Sequence, residues 1–300
     1  MIANGTRPPT RITAALLRKW PLPSAHPKLG KEGRGDVLVV GGSRQIPGAA
    51  ILAAVGALRA GAGKLQIATA ESVSGLVAVS VPEARVIALR ESRAGELARG
   101  CQDILAKEID AADAILIGPG MCDERAAVDL LRHCVRVRTR SPLVVDAAAL
   151  RVFAQQRPLR DRQPPEIIAT PHAGEMAELW NCSRADVMRH PLEVARAAAA
   201  QLGVVVTLKG AQTFVAAPDG TAFHNLAGNV GLGTSGSGDT LSGVIAGLCA
   251  RGASGMQAAA WGVYLHAKAG DVLARRMGPL GFLARELLTE IPLLLRTIAG

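Results

Sequence analysis

A mostly parallel α/β sheet with helices on both faces is the fold this sequence predicts. Three observations carry the prediction. Short, continuous β-branched apolar runs recur along the chain, as strands buried on both faces read. Alanine- and leucine-rich segments of helical character lie between them. The apolar runs end on Gly, Pro, Asp, His or Lys, residue types that suit a site beyond the carboxyl ends of parallel strands.

Taken in order, ITAALLRKW (12–20) reads as a short amphipathic helix on the domain. DVLVVGG (36–42) is a buried strand closing in glycines, and GAAILAAVGALRAG (48–61) is a helix with a glycine stop. KLQIAT (64–69) is a strand, 72–79 is helical, and ARVIAL (84–89) is again a strand. AILIGPG (114–120), PLVVDAAAL (142–150), EIIATPHAGE (166–175) and VVVTLKG (204–210) repeat the design of a run followed by a breaker. QTFVAA and TAFHN form an antiparallel hairpin around Pro218-Asp219-Gly220, and helical segments follow at about 238–251, 255–275 and 282–297. No linker or low-complexity break interrupts this rhythm, so residues 1–300 read as one domain.

Composition narrows the function classes. At 49% hydrophobic and 20% charged residues the chain has ample material for a core. Aromatics are only 3%, so Ala, Val, Leu and Ile must build it. The net charge of +9 comes from mostly scattered Arg, with one short run, RVRTR, at 136–140. That dispersion argues against nucleic acid and suits an enzyme of polyanionic small molecules. Five cysteines without a CxxC pair give neither a disulfide frame nor a zinc site and point to the cytoplasm. No apolar run reaches the roughly 20 residues a bilayer span needs. Residues 1–31 carry no acid, a transit-peptide trait, but the amphipathic helix is the better reading of that region.

The richest motif is GTSGSGDTLSG, starting at Gly233. GLGTSG (231–236) fits GxGxxG formally, yet no strand leads directly into it and no acid ends a following strand about 20 residues on. GAGK (61–64) lacks the first Walker glycine and is followed by Leu65. What remains is Gly236-Ser237-Gly238 on the first turn of a helix, where converging N–H groups and the helix dipole accommodate a phosphate. Asp239 beside that anion hole is placed to take a proton from an attacking hydroxyl; the plainer reading is an acid favouring a helix N-terminus. Lys209-Gly210 ends a strand on the same rim, as an anion contact or a surface lysine. In TPHAGE (170–175), His172 faces a ligand, or Thr170 or Glu175 merely caps a helix. Gly118-Pro119-Gly120 permits close backbone approach or is a tight turn. Asp146 also stands just after a strand. His133, His190, His224 and His266 have no metal-ligand spacing and read as structural or surface residues.

As a set, GDVLVVGGS, PGAAILAAVGALRAGAGKL, GPGM, VVDAAAL, TPHAGEMAEL, TLKGAQT and GNVGLGTSGSGDTLSGVIAGL resemble the ADP- or ATP-dependent NAD(P)H-hydrate dehydratases of the ribokinase-like superfamily, from about Arg11 to Ala299. The resemblance implies a three-layer sandwich and nucleotide-driven repair of hydrated NADH and NADPH, by phosphorylation of the ring hydroxyl and loss of phosphate. It implies Asp239 as the base, and Ala49, Gly120, His172 and Asp239 against the hydrated dinucleotide. Lys209, Gly210, Ala211, Gln212, Thr213 and Gly238 would line ADP or ATP, with Mg2+ bridging phosphates but no protein metal ligands assigned. A homotetramer is implied, and the chain is expected to lack the fused N-terminal epimerase domain that many bacterial relatives carry. Where relatives usually read GNPGMAT this chain reads GNVGLGT, with Val230, Leu232 and Gly233 departing; loop order rather than chemistry is what these touch. A ribokinase-like kinase for a vitamin precursor or sugar, and a non-catalytic nucleotide-binding protein, are the alternatives.

Overall fold

The computed structural model describes residues 8–24, 30–137, 141–154, 156, 159 and 165–299. Residues 138–140 of the basic RVRTR run lie outside them. The strands are β1 (Thr10–Arg11), β2 (Asp36–Val40), β3 (Lys64–Ala70), β4 (Arg85–Leu89), β5 (Ala114–Ile117), β6 (Leu143–Val145), β7 (Ile167–Ala169), β8 (Val205–Leu208), β9 (Thr213–Ala216) and β10 (Ala222–Asn225). The helices are α1 (Ala14–Lys19), α2 (Pro47–Arg59), α3 (Glu71–Ser80), α4 (Ala106–Ala111), α5 (Glu124–Val137), α6 (Ala173–Trp180), α7 (Arg184–Arg189), α8 (Pro191–Leu202), α9 (Ser237–Ala250), α10 (Gly255–Met277) and α11 (Ala284–Ala299).

All ten strands form one sheet in the order β1-β10-β9-β8-β7-β6-β5-β2-β3-β4. The block from β4 across to β8 is parallel, and β9 pairs antiparallel with both β8 and β10. The chain winds outward from β2 through β3 to β4, then returns to β5 and winds the other way to β8. Right-handed crossovers in opposite directions put helices on opposite faces. Accordingly α2 lies on one face and α5 and α8 on the other, and α9, α10 and α11 later join α2.

Strand alternation divides the core between these layers. Leu38, Val40, Ile115, Ile117, Val145 and Val206 are buried under α5, α6 and α8. Val37, Val39, Leu116, Val144, Ile168 and Val205 are buried under α2, α9 and α10, around the fully covered Trp261. Covering both faces is why the strands read as unbroken apolar runs. The reversal of winding between β2 and β5 leaves a crevice at their carboxyl ends, where such sheets bind ligands.

Candidate active site

Every breaker that ends a strand contributes to one rim. After β2, Gly42 donates its N–H to the Pro119 carbonyl at 2.8 Å and Ser43 to the Gly120 carbonyl at 3.0 Å, stitching the β2 and β5 ends across the crevice. Gly120 has φ +70°, and a Cβ there would stand 2.3 Å from the Ile46 carbonyl and 3.1 Å from the Ala49 methyl. Only glycine brings that turn down onto the start of α2. Ala49 and Gly120, far apart in sequence, are thus neighbours.

After β7, His172 is the N-cap of α6. Its Nδ1 accepts the N–H groups of Gly174 (2.9 Å) and Glu175 (3.2 Å), and Glu175 accepts the His172 N–H at 2.7 Å. This is a reciprocal capping box, with histidine in the place usual for serine or threonine. The side chain stays 58% exposed, with Nε2 3.6 Å from Glu175 Oε1. Capping and ligand contact are therefore compatible roles for one side chain. The Lys209 N–H donates to the Pro171 carbonyl at 2.8 Å, so the β8 end runs alongside this turn.

Lys209 Nζ lies 3.0 Å from Asp146 Oδ1 and 3.9 Å from Glu175 Oε2. Burial works against the Lys209 charge, but Asp146 and then Glu175 outweigh it and hold the ammonium above its ordinary range. Beyond Lys209 the residues Gly210, Ala211 and Gln212 are exposed in the β8–β9 loop, and Thr213 begins β9.

Gly236, with φ +85°, opens α9 without any side-chain cap. The Ser237 N–H, expected in the anion hole, donates instead to the Thr234 carbonyl at 3.2 Å, so it is the neighbouring glycine N–H groups and the helix dipole that favour an anion there. A Cβ on Gly238 would sit 3.3 Å from Lys209 Nζ and 4.0 Å from Asp146 Oδ2, so the bare turn faces that ion pair directly. Asp239 follows on the same turn. Burial, then the Asp146 charge, raises its carboxyl to about 7, with Lys209 opposing. A carboxylate titrating near neutrality is matched to general-base work. Burial likewise raises Glu175. Below the turn, Ser237 Oγ lies 3.1 Å from Nε2 of the buried His266, whose ring burial keeps neutral, with a pKa near 4.

The structure thus brings Asp239, Gly238, Ser237, Gly236, Lys209 and His172 to one rim, with Ala49 and Gly120 where the β5 turn meets the start of α2. It also gives partners to two groups that the motifs left without a role. Asp146, with a side chain 4% exposed, partners Lys209, and His266 supports Ser237. A cavity of about 210 Å³ opens beside Glu175 and Ala147 over the end of β6, rimmed by Glu124, Arg151 and Glu178. Among the described residues no cluster of three His, Cys, Asp or Glu stands ready to hold a metal ion.

A family model for NAD(P)H-hydrate dehydratase matches residues 37–293. This chain belongs to the NAD(P)H-hydrate dehydratase family. An ADP-dependent (S)-NAD(P)H-hydrate dehydratase from Xanthomonas campestris is 48% identical over 94% of each chain. The Bacillus subtilis ADP/ATP-dependent NAD(P)H-hydrate dehydratase co-crystallised with ATP/Mg2+ superposes with a TM-score of 0.83 at 32% identity, over 96% of this chain and 98% of that one. In the Escherichia coli relative, a bifunctional NAD(P)H-hydrate repair enzyme 34% identical, the match spans 51% of the protein. The dehydratase fold in this chain is ribokinase-like, with the mostly parallel sheet and two helical layers the sequence predicts.

Proposed function

We propose that this chain dehydrates hydrated NADH and NADPH, using ADP or ATP as phosphoryl donor. The observation that carries this reading is the meeting of Asp239, the uncapped α9 turn and Lys209 at one rim, in a chain of the dehydratase family. The ring hydroxyl of the hydrate attacks the terminal phosphorus of the nucleotide and gives its proton to the Asp239 carboxylate. The bond from that phosphorus to the bridging oxygen breaks, and the shortened nucleotide (ADP from ATP, AMP from ADP) leaves with the electron pair. The N–H groups of Gly236 and Gly238 and the Lys209 ammonium take up the charge on the transferring oxygens. The new phosphate ester then leaves with the electron pair of its C–O bond. A ring proton is lost and the dihydronicotinamide double bond returns.

Ala49, Gly120 and His172 line the dinucleotide side in this proposal, while Lys209, Gly210, Ala211, Gln212, Thr213 and Gly238 line the nucleotide side. Among the described residues no donor group forms a cage for magnesium, and Mg2+ would be carried on the nucleotide phosphates, where it would neutralise their charge. Work in a reducing cytoplasm suits five free cysteines. No described helix is long and apolar enough to cross a membrane. A homotetramer is part of the same proposal, and size-exclusion with light scattering tests it.

The decisive assay incubates enzymatically hydrated NADH with Mg2+ and ADP or ATP and follows the return of dihydronicotinamide absorbance. Nucleotide-dependent recovery that drops at least a hundredfold in Asp239→Asn supports the reading. Accumulation of a stable phosphorylated product would instead make the chain a small-molecule kinase.

A further inference from the structure

The Lys209–Asp146 pair is more than a surface tie, because both partners are withdrawn from solvent and yet stay open toward the α9 turn. Asp146 is held in place from two sides. Its carbonyl occupies the space a Cβ on Gly118 would need, 1.9 Å from that position. The next residue, Ala147, takes φ +48°, a left-handed conformation that costs a non-glycine residue about 1 kcal/mol or more. A buried ion pair is weak evidence for stability, since desolvation offsets its attraction. Strain on one side and a tailored glycine on the other point to placement of the carboxylate as the reason for the arrangement.

The placement has two consequences. Oδ1 anchors Lys209 Nζ beside the Gly238 turn, and Oδ2 faces the same turn. The charged and titratable groups around Asp239 are Asp146 after β6, Lys209 after β8 and Glu175 on α6, with neutral His266 of α10 beneath Ser237. One cation thus stands among three carboxyl groups.

We propose that Asp146 is a positioning residue, which fixes the Lys209 ammonium over the anion-binding turn and sets the field in which Asp239 works. The proposal deepens the dehydratase reading and rests on it for its kinetic readout. The direction of the field agrees with the raised Asp239 carboxyl, for which Asp146 is the largest cause after burial. Asp146 touches no reacting atom; it acts through Lys209 and through its charge.

The test is the pH profile of kcat/KM for the hydrate with ATP and Mg2+, in wild type, Asp146→Asn and Asp146→Ala. Asparagine keeps the shape and an acceptor for Lys209 while deleting the charge. The acid limb should move to lower pH by about one unit. Alanine also frees Lys209, and the nucleotide KM should rise more with alanine than with asparagine. An acid limb that stays at the wild-type position in Asp146→Asn overturns the proposal.

A second measurement needs no turnover. The gap in unfolding free energy between each protein and its Asp239→Asn partner is followed from pH 4 to 8, with and without Asp146→Asn. A smaller high-pH gap in the Asp146→Asn background supports the coupling, and an equal gap overturns it. If wild type itself fails to dehydrate the hydrate, the functional reading falls, while this cycle still decides the role of Asp146.

Discussion

Asp239 works at the expense of the fold. Its carboxyl sits at about 7 in the folded chain against an ordinary 3.8, so the native state binds its proton more tightly than the unfolded state does. Native stability from this group is therefore complete below about pH 4 and is lost as pH rises through 7. At 1.36 kcal/mol per unit the shift corresponds to roughly 4 kcal/mol. Asp239→Asn should accordingly be inactive yet more stable than wild type by about 2–4 kcal/mol at pH 8, with the two converging near pH 4. Urea denaturation at both pH values checks this; equal stabilities at pH 8 would mean that Asp239 ionises in the fold without penalty. At this scale the sequence was partly readable. Gly-Ser-Gly-Asp on a helix start announces an anion site with an acid beside it. The partnership of Lys209 with Asp146 is not visible in that way, because 63 residues and two further strands separate the pair.

Among the elements, α9 has the tightest packing demand, and it is the helix that carries the site. A Cβ on Gly243 would come 2.0 Å from the Ala53 carbonyl of α2, and one on Gly247 would come 2.4 Å from that of Ala57. Gly56 of α2 answers in kind, facing the Thr240 carbonyl and the Val244 amide of α9. The two helices therefore touch backbone to backbone, and α2 in turn brings Ala49 and Leu52 to the rim. Gly247→Ala should force the helices apart and lower stability by about 2–3 kcal/mol, read as a drop in the urea midpoint. Gly243→Ala, one turn nearer the site, should lose nucleotide affinity as well, because the α9 start shifts with its packing. An unchanged nucleotide Kd in a folded Gly243→Ala protein would show that the turn is held from elsewhere. The strands, the hairpin and the last three helices were legible because apolar blocks and Gly or Pro breaks delimit them. Helix α5 gives no such block: its buried Ala126, Leu130 and Cys134 are spaced among charges. Strand β1 is two residues long and takes its structure from β10 alone.

Across the whole molecule, the hairpin that follows Lys209 and leads into the α9 loop lies near one margin of the sheet, and the N-terminal segment secures it. Ile12 donates to the His224 carbonyl at 2.9 Å as β1 runs beside β10. The Trp20 ring stacks on Phe223 at 5.5 Å. The Trp20 carbonyl accepts from Trp261 Nε1 at 2.9 Å and from Gln257 Nε2 at 3.2 Å, and Arg251 reaches the Pro23 carbonyl. A segment before the first long strand thus adds the outermost strand, β1, to β10 and is bound to α10, the helix whose His266 supports Ser237. Sequence reasoning placed a helix at 12–20, found at 14–19, but had no means of seeing what it covers, since every partner lies more than 200 residues away. If this strap belongs to the cooperative unit, Trp20→Ala should lower global stability by about 2 kcal/mol while unfolding stays a single transition. Saturating ATP should then restore part of the lost midpoint, because a ligand that binds only the folded state adds RT ln(1 + [L]/Kd). Circular dichroism and tryptophan fluorescence, followed through the same urea titration, make the check. Coincident curves shifted together place the strap within the fold that builds the site; an early fluorescence step with an unshifted main transition would make it an appendage.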